Sequence, residues 1–283
     1  MTMRPTPDRL VGVVGSPIAH SLSPLLHHAA FEAMGLNWAS ARFDVEAGGG
    51  ASVLAAISTL GLRGVSVTMP LKAEIAGLVD VLDSSAAKTM SVNTISVDEG
   101  VITGTSTDGA GLFASLRRTM GLSPEGLRVL IAGAGGASRS VIAFLGSHGA
   151  REVAVVARAP EAARSAASLA GEVGRPAEPV EAPLFDLVIN ATPVGMSGTA
   201  TATAAPLIDP TLLHADQVAV DLVYRPLRTP WLAAAEAAGA RTEGGLGMLV
   251  HQAALALEVW TGHEAPIDDM LAAVEPIVAA GSW

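Results

Sequence analysis

Short apolar strands alternate with amphipathic helices in the first hundred residues. Residues 10–14 form an apolar run that Gly15-Ser16-Pro17 ends, and residues 24–34 carry apolar side chains at helical spacing. Further strand and helix patterns follow at residues 38–45, 53–60, 65–67, 92–97 and 101–104, the last two of which flank an acidic glycine turn. This alternation predicts an α/β unit with a largely parallel sheet that a hairpin closes.

A second series of strands and helices follows a helical pattern at residues 108–120 and a turn-rich segment at residues 122–126. Its buried strands are expected at residues 128–132, 153–157, 187–189 and 218–222, with helices between them. Two helical patterns, at residues 248–261 and 267–280, then follow without another strand. The second series therefore predicts a doubly wound, Rossmann-like α/β unit.

The composition supports a folded, cytoplasmic protein of two units. The chain has 283 residues, which is longer than one compact domain usually is. Half of the residues are hydrophobic (50%), so there is enough apolar material for packed cores. Its net charge of −10 argues against nucleic acid and anionic membranes as partners. The longest uncharged stretch, residues 187–208, contains Asn190, Pro193 and Pro206 and so predicts no membrane span. The lack of cysteine excludes disulfides and thiolate nucleophiles, as in a reducing cytoplasm.

A glycine-rich segment, Gly133-Ala134-Gly135-Gly136-Ala137, comes directly after a predicted strand and opens a predicted helix. Glycines allow a tight turn and close approach of the backbone, and the N-terminus of a helix offers free N–H groups to a pyrophosphate. Ser138 stands where the pattern G-x-G-x-x-G has its last glycine, so a plain strand-to-helix turn is the alternative interpretation. The placement favours dinucleotide binding.

The end of the next strand indicates which dinucleotide is bound. An acidic residue there would bind the ribose 2′-hydroxyl of NAD, whereas an arginine would pair with the 2′-phosphate of NADP. The chain has Ala157-Arg158-Ala159 at this point and no acidic residue. Arg158 therefore predicts NADP, and a solvated surface arginine is the alternative.

Two serines and a proline precede the first helix. Ser23 is a natural N-cap and Pro24 suits the first helical position, so the hydroxyls of Ser21 and Ser23 are expected at a positive helix end. Such a place suits a small carboxylate, whereas capping alone is the alternative role.

Lys72 and Asp108 are each expected in the first turn of a helix. A helix N-terminus favours a carboxylate and disfavours an ammonium, which suits a pair that exchanges a proton. A surface lysine and a capping aspartate are the alternative. The chain has only two lysines, Lys72 and Lys88, so lysine is not scattered here as a general surface residue.

Further polar residues lie at the ends of apolar runs. Asn93, Tyr224 and Gln252 are candidates for binding hydroxyls or a carboxylate, although a structural role is the stronger interpretation of each one taken alone. The histidines form no pattern of metal ligands, so we predict no metal; they include His20, His27, His28 and His251.

Taken in order, these segments resemble shikimate dehydrogenases over nearly the whole chain. The motifs that carry the resemblance are Gly15-Ser16-Pro17-Ile18-Ala19-His20-Ser21-Leu22-Ser23-Pro24, Ser66-Val67-Thr68-Met69-Pro70-Leu71-Lys72, Ser91-Val92-Asn93-Thr94, Ser106-Thr107-Asp108-Gly109, the glycine-rich segment, Asn190-Ala191-Thr192-Pro193-Val194-Gly195-Met196 and Gly247-Met248-Leu249-Val250-His251-Gln252. Any one of them is weak evidence, but the ordered series is specific.

The resemblance implies a substrate-binding domain at residues 1–107 and 246–283 and an NADP-binding domain at residues 108–245. It implies reduction of 3-dehydroshikimate to shikimate with NADP as the cofactor, with Lys72 as the acid/base at the C3 oxygen and Asp108 as its partner. The substrate would be bound by Ser21, Ser23, Thr68, Asn93, Tyr224 and Gln252. The cofactor would be bound by Gly133, Ala134, Gly135, Gly136, Ala137, Arg158, Thr192, Met196 and Gly245.

Three positions depart from the family pattern. Ser66 and Ser106 stand where asparagine is frequent, and Ala157 replaces the asparagine that usually precedes Arg158, which weakens the expected phosphate clamp. Quinate or aminoshikimate oxidation, which uses the same acid/base pair on a differently substituted ring, is the alternative activity. A non-catalytic, regulatory NADP-binding protein is the alternative from another class, and both a monomer and a homodimer fit the sequence.

Overall fold

In a computed structural model of the chain, residues 6–280 are described. The described residues fold into two compact units: residues 6–107 together with residues 250–280, and Asp108–Leu249. None of the helices within residues 6–280 is long and apolar enough to cross a membrane.

The first unit is built around a six-stranded mixed sheet. Its elements up to residue 107 are β1 (Arg9–Gly15), α1 (Ser23–Ala33), β2 (Trp38–Asp44), α2 (Gly50–Leu60), β3 (Gly64–Val67), α3 (Lys72–Ala76), β4 (Val81–Leu82), α4 (Ser84–Thr89), β5 (Thr94–Asp98) and β6 (Val101–Thr105). The strand order is β2-β1-β3-β5-β6-β4. β1 runs parallel to β2 and β3, whereas β5 runs antiparallel to β3 and β6.

The antiparallel hairpin that the sequence predicts is present between β5 and β6. Its turn places Glu99 at φ 48° and Gly100 at φ 82°, and this left-handed pair matches the right-handed twist of the two strands. One face of the sheet covers an apolar core that includes Val14, Val65 and Ile95, all less than 4% exposed.

The second unit contains a six-stranded, wholly parallel sheet. Its elements are α5 (Asp108–Met120), β7 (Arg128–Ala132), α6 (Gly136–Ser147), β8 (Glu152–Val156), α7 (Pro160–Ala167), β9 (Gly174–Pro176), β10 (Leu187–Asn190), β11 (Val218–Asp221), α8 (Pro230–Ala237) and β12 (Arg241–Glu243), with short 3₁₀ helices at Ser168–Val173, Pro179–Leu184 and Pro210–Leu212. The strand order is β12-β11-β10-β7-β8-β9. Because the order reverses between β7 and β10, ligands are expected at the carboxyl ends of these two strands.

The last two helices are α9 (Gly245–Thr261) and α10 (Ile267–Ala280). α10 packs against α1, and the indole Nε1 of Trp260 on α9 donates a hydrogen bond to the carbonyl oxygen of Ile95 at 2.8 Å. A Cβ atom at Gly64 would overlap this indole, so glycine is required where the helix crosses β3. The predicted fold class, including the return of the C-terminal helices to the first unit, is confirmed.

Some boundaries differ from the predicted ones. The helix expected at residues 248–261 already begins at Gly245. β9 and β12 were not predicted, because three residues with few apolar side chains give no strand pattern.

Candidate active site

In the first unit, one edge of the sheet collects the loops that carry the candidate substrate residues. β1 and β3 are parallel, so the loops after Gly15 and Val67 leave the sheet at the same edge. β5 is antiparallel to β3 and pairs Thr94 with Ser66, which brings Asn93 to that edge as well. The amide of Val67 donates to the carbonyl oxygen of Asn93 at 2.7 Å and so holds these loops together.

Ser21 and Ser23 lie side by side at the start of α1, and both are buried. The Oγ of Ser21 donates to the Oγ of Ser23 at 3.3 Å and accepts the backbone N–H of Ser23 at the same distance. Arg42 fixes the segment because its Nε donates to the carbonyl oxygen of Ser21 at 2.8 Å. The hydroxyls are thus held near a helix end, as a carboxylate site requires.

The predicted capping role of Ser23 is wrong. Ser23 is already helical, Leu22 occupies the N-cap position, and no side chain caps the helix. Because Pro24 fixes the backbone of the first turn, the helix begins without a capping hydroxyl.

Thr68 and Lys72 follow β3 along the same edge. The backbone of Thr68 donates to the carbonyl oxygen of Val14 at 2.9 Å, and a Cβ at Gly15 would overlap the methyl group of Thr68. α3 begins with Lys72, whose carbonyl oxygen accepts the N–H of Val92 at 2.9 Å and whose side chain is half-buried. The short helix therefore presents the lysine from a backbone that is tied to its neighbours.

Asn93 is the centre of a buried polar network. Its Nδ2 donates to Thr107 Oγ1 at 2.8 Å and to Gln252 Oε1 at 3.2 Å, and its Oδ1 accepts the N–H of Thr107 at 2.8 Å. The Oγ1 of Thr107 also donates to the carbonyl oxygen of Gln252 at 3.1 Å. Sequence reasoning did not single out Thr107, although it lies in the motif that ends with Asp108-Gly109.

Ser66, one of the departures from the family pattern, lies on β3 two residues before Thr68. Its hydroxyl is buried and has no hydrogen-bond partner among the described residues. A buried hydroxyl that makes no hydrogen bond lowers the stability of the folded protein. Ser106, the second departure, is held differently because its N–H donates to Ser85 Oγ at 2.9 Å.

In the second unit, the glycine-rich segment joins β7 to α6 as predicted. Gly133 has φ 120°, and a Cβ there would lie 2.9 Å from the carbonyl oxygen of Ala191, so only glycine fits. Gly135 occupies the N-cap position of α6, so no side chain caps the helix. A Cβ atom at Gly135 would meet no described atom within 4 Å. The open space and the uncapped helix end fit a pyrophosphate.

Ser138 explains the missing third glycine. It is fully buried, and its Oγ donates to the carbonyl oxygen of Gly133 at 2.6 Å, which closes the loop from within. Beside it, the N–H of Gly109 on α5 donates to Ser140 Oγ at 2.9 Å.

Arg158 is exposed and lies two residues beyond the end of β8. α7 begins at Pro160, and the acidic residue in its first turn, Glu161, is paired with Arg164 at 2.5 Å. Arg158 is therefore an exposed cation beyond the end of β8, and its role in binding the 2′-phosphate of NADP stays a prediction.

The loops that follow β10 and β11 carry Thr192, Met196 and Tyr224. The Oγ1 of Thr192 donates to Asn190 Oδ1 at 2.6 Å, and the carbonyl oxygen of Met196 accepts from Thr199 Oγ1 at 2.8 Å. Sequence reasoning missed Asp221, Asn190 and Thr229 as parts of one buried network in this place. The signal available was a lone aspartate at the end of an apolar strand.

Gly245 and Asp108 also belong to the second unit. A Cβ at Gly245 would overlap the carbonyl oxygen of Leu222, and the Gly245 N–H donates to Val223 O at 3.1 Å. Asp108 is the first residue of α5 and is buried. Since Lys72, Ser21 and Ser23 lie in the other unit, the pairing of Lys72 with Asp108 and the joint role of Tyr224 with the serines stay predictions.

No group of three His, Cys, Asp or Glu side chains within residues 6–280 is arranged to hold a metal ion.

Comparison with known proteins identifies relatives along nearly the whole chain. Residues 13–95 match the shikimate dehydrogenase substrate binding domain, and residues 245–275 match the shikimate 5′-dehydrogenase C-terminal domain. A shikimate dehydrogenase (NADP(+)) of Geobacter sp. (strain M21) is 42% identical over 269 residues, which are 91% of each chain.

Solved structures give the same result. Shikimate 5-dehydrogenase from Thermus thermophilus, in complex with NADP(H) and shikimate, has a TM-score of 0.86 at 33% identity and covers 95% of this chain and 99% of its own. Quinate dehydrogenase from Corynebacterium glutamicum, in complex with NAD, has a TM-score of 0.85 at 28% identity and covers 95% of this chain and 99% of its own.

Proposed function

The chain belongs to the shikimate dehydrogenase family, and on that premise we propose that it reduces 3-dehydroshikimate to shikimate with NADPH. The observation that carries the proposal is the polar edge of the first sheet, where Asn93 bonds to Gln252 beside the loops of Ser21, Ser23, Thr68 and Lys72. Hydroxyls, amides and one ammonium suit a ring that carries a carboxylate and several hydroxyls.

The substrate roles follow from the chemistry of each group. The hydroxyls of Ser21 and Ser23 donate to the ring carboxylate, with Tyr224 as a third donor. Thr68, Asn93 and Gln252 bind ring hydroxyls, because an amide both donates and accepts and so matches a hydroxyl in either direction.

Lys72 is the proposed acid/base residue. The bound cofactor supplies the hydride that adds to C3 of the substrate. Lys72 gives a proton to the C3 oxygen, so the ketone becomes an alcohol, and in the reverse direction it removes that proton. Asp108 is its proposed charged partner.

The second unit would hold NADP through the uncapped first turn of α6 and the open space at Gly135. Arg158 pairs with the 2′-phosphate, and the loop with Thr192 and Met196, together with Gly245, flanks the nicotinamide side. In this arrangement residues 1–107 and 246–283 form the substrate-binding domain, and residues 108–245 form the cofactor domain.

Quinate oxidation is the second candidate, and the unpaired hydroxyl of Ser66 favours it. A serine leaves more room than the asparagine frequent in the family, and its hydroxyl is free to pair with an additional ring hydroxyl. Aminoshikimate oxidation would use the same acid/base pair on another ring.

The protein's setting is part of the proposal. An acidic chain without cysteine suits a cytoplasmic enzyme that takes small molecules and does not bind nucleic acid. It acts as a monomer or a homodimer, and gel filtration at the assay concentration distinguishes the two.

A purified-enzyme assay tests the function. The protein is offered shikimate, quinate and aminoshikimate with NADP⁺ and with NAD⁺, and formation of the reduced cofactor is followed by absorbance. We expect the highest kcat/KM for shikimate with NADP⁺. Turnover of none of the rings, with NADPH still bound, would identify the regulatory alternative instead.

A further inference from the structure

Asp221 is a buried carboxylate that the proposed reaction does not use. It ends β11, is fully buried and accepts three hydrogen bonds. The donors are Asn190 Nδ2 at 3.0 Å, the N–H of Val223 at 3.0 Å and Thr229 Oγ1 at 2.7 Å. None of these donors carries a charge, so the carboxylate is held by neutral groups alone.

Each donor belongs to a different segment of the second unit. Asn190 ends β10 and is the register partner of Asp221, and its Oδ1 accepts both the N–H and the Oγ1–H of Thr192, at 3.2 and 2.6 Å. Val223 directly precedes Tyr224. Thr229 caps α8, because its Oγ1 accepts the N–H of Leu232 at 3.2 Å.

A second link joins the same two loops farther along the chain. The N–H of Ser197, next to Met196, donates to the carbonyl oxygen of Arg225, next to Tyr224, at 2.8 Å. The two loops are thus connected at their bases through Asp221 and again beside the residues that we assign to binding. Movement of one base therefore displaces both loops.

A carboxylate at position 221 matches the polarity of the network, because the amide groups of Asn190 and Val223 and the hydroxyl of Thr229 all donate to it. An amide at this position keeps one acceptor oxygen and turns its NH₂ group towards at least one of the three donors, so that donor loses its acceptor.

The charge is retained at an energetic cost. Burial raises the pKa of Asp221 to about 6, although the hydrogen bonds from Thr229, Val223 and Asn190 oppose the rise. A carboxyl group whose pKa is raised by folding lowers stability at neutral pH, where it is ionised. Asp221 lowers stability and yet connects two loops, so its role is expected to lie in the function of those loops.

We propose that Asp221 is a positioning residue, whose carboxylate holds the loop with Thr192 and Met196 in register with the loop with Tyr224. The assignment of these loops to cofactor and substrate rests on the proposed function, whereas the network that joins them does not. Small displacements of positioned groups lower rates strongly, since about 1 Å of misplacement costs on the order of a hundredfold.

The test compares Asp221→Asn with Gln217→Met. Gln217 lies just before the same strand, is also buried and also makes three hydrogen bonds: its Nε2 donates to the carbonyl oxygens of Ala182 at 2.8 Å and Phe185 at 2.6 Å, and its Oε1 accepts the N–H of His214 at 3.0 Å. It lies at the opposite end of the strand from the proposed site, so it reports on lost stability alone.

The measurements are Tm, the Kd of NADPH from a fluorescence titration without substrate, and kcat and KM for shikimate. For Asp221→Asn we expect the Kd of NADPH and kcat/KM to worsen by about ten- to a hundredfold. For Gln217→Met we expect a loss of Tm with a Kd within about twofold of that of the unchanged protein, as for a substitution remote from the site. If both variants lose affinity in proportion to Tm, Asp221 is only a stability residue.

A double variant, Asn190→Asp with Asp221→Asn, exchanges the amide and the carboxylate between the two strands. The carboxylate at position 190 still accepts hydrogen bonds from Thr192 and from the amide at position 221. The amide oxygen at position 221 then serves only one of the two remaining donors, the N–H of Val223 and the hydroxyl of Thr229. We expect partial recovery of NADPH affinity relative to Asp221→Asn. No recovery in a folded double variant would contradict the positioning role.

The NADPH titration needs no substrate, so the two proposals fail separately. Loss of NADPH affinity in Asp221→Asn together with inactivity of the unchanged protein towards shikimate would uphold the positioning role and reject the proposed substrate.

Discussion

The amide nitrogen of Asn93 donates to the side-chain oxygen of Gln252 at 3.2 Å, across 159 positions of the sequence. Asn93 precedes β5 and Gln252 lies on α9, so the bond joins the edge of the first sheet to a helix from the far end of the chain. Thr107 completes the arrangement by bonding to both residues. The proposed binding of ring hydroxyls therefore depends on the return of α9.

Replacing Gln252 tests that dependence. Gln252→Leu removes an acceptor of Asn93 and a partner of the substrate, and we expect the KM for shikimate to rise by about ten- to a hundredfold, from the 1–3 kcal/mol of an unpaired polar group. The Kd of NADPH should stay unchanged. Thr261→Val, at the other end of α9, serves as the control; an equal rise in KM there would show that the helix as a whole was disturbed.

Lys72 and Lys88 provide a matched pair, because they are the only lysines of the chain. Lys72→Met should lower kcat by about 10²–10⁴, the usual share of general acid–base catalysis, with a smaller change in KM. Lys88→Met, in the last turn of α4, should leave kcat within about twofold. Near-normal kcat in Lys72→Met, from a steady-state assay with shikimate and NADP⁺, would remove Lys72 from the mechanism.

The fold followed from the sequence where its signal is local and periodic. Residues 267–280 were predicted as a helix and form one with the same bounds, because apolar spacing alone defines it. The start of α9 was placed three residues late, since glycines were taken as a helix boundary. The first residue of α9 is a glycine because the backbone of Leu222 leaves no room for a side chain there, and this long-range contact has no local signal.

The buried networks were the least predictable part of the site. Thr107, Asn190, Asp221 and Thr229 each bond to a residue that is distant in sequence or belongs to another loop. Short polar side chains at strand ends are common in any α/β protein. Only the tertiary structure shows which of them meet.

Arg158 should decide between the two nicotinamide cofactors. Arg158→Ala removes a charge-assisted bond to the 2′-phosphate, worth about 1.5–3 kcal/mol, and so should reduce the ratio of kcat/KM for NADP⁺ to that for NAD⁺ by about ten- to a hundredfold. Arg164→Ala, which removes a cation from the same helix region that is already paired with Glu161, should leave the ratio unchanged. If the unchanged protein uses NAD⁺ as well as NADP⁺, the assignment of Arg158 is wrong.

His27 should make the first unit sensitive to acid. Burial, with a smaller contribution from the charge of His28, lowers the pKa of His27 from 6.5 to about 3, and its ring packs edge-on against Trp260 at 5.2 Å. The unfolded chain then binds a proton that the folded protein excludes. Stability is complete above pH 6.5 and is lost as the pH falls towards 3, by at most about 1.4 kcal/mol per pH unit.

Urea unfolding at pH 7 and pH 5 measures this contribution. His27→Gln should be less stable than the unchanged protein at pH 7, but it should lose about 2 kcal/mol less free energy of unfolding between the two pH values. The raised pKa of Asp221 acts in the opposite direction and is common to both proteins, so it cancels in the comparison. His263→Gln, at an exposed position, should keep the full loss; equal losses in all three proteins would contradict the burial of a neutral His27.

The proposed enzyme should prefer shikimate to quinate. The hydroxyls of Ser21 and Ser23 are buried and 3.3 Å apart, which suits a flat carboxylate on the planar C1 of shikimate. Quinate carries a further hydroxyl on a tetrahedral C1, and burying that group unpaired costs about 1–3 kcal/mol. We expect about ten- to a hundredfold higher kcat/KM for shikimate with saturating NADP⁺.

Ser66→Ala separates this preference from the alternative that its unpaired hydroxyl suggests. If Ser66 binds the extra hydroxyl of quinate, the variant should lose quinate oxidation while it retains shikimate oxidation. If the serine pair at α1 sets the preference, Ser23→Ala should raise the KM for shikimate. It should also lower the ratio of kcat/KM for shikimate to that for quinate, because the hydrogen bond that it removes is stronger with shikimate than with quinate. If the unchanged protein oxidises quinate as fast as shikimate or faster, the proposed substrate is wrong. The acid/base role of Lys72 would still hold, because both rings are oxidised at a secondary alcohol.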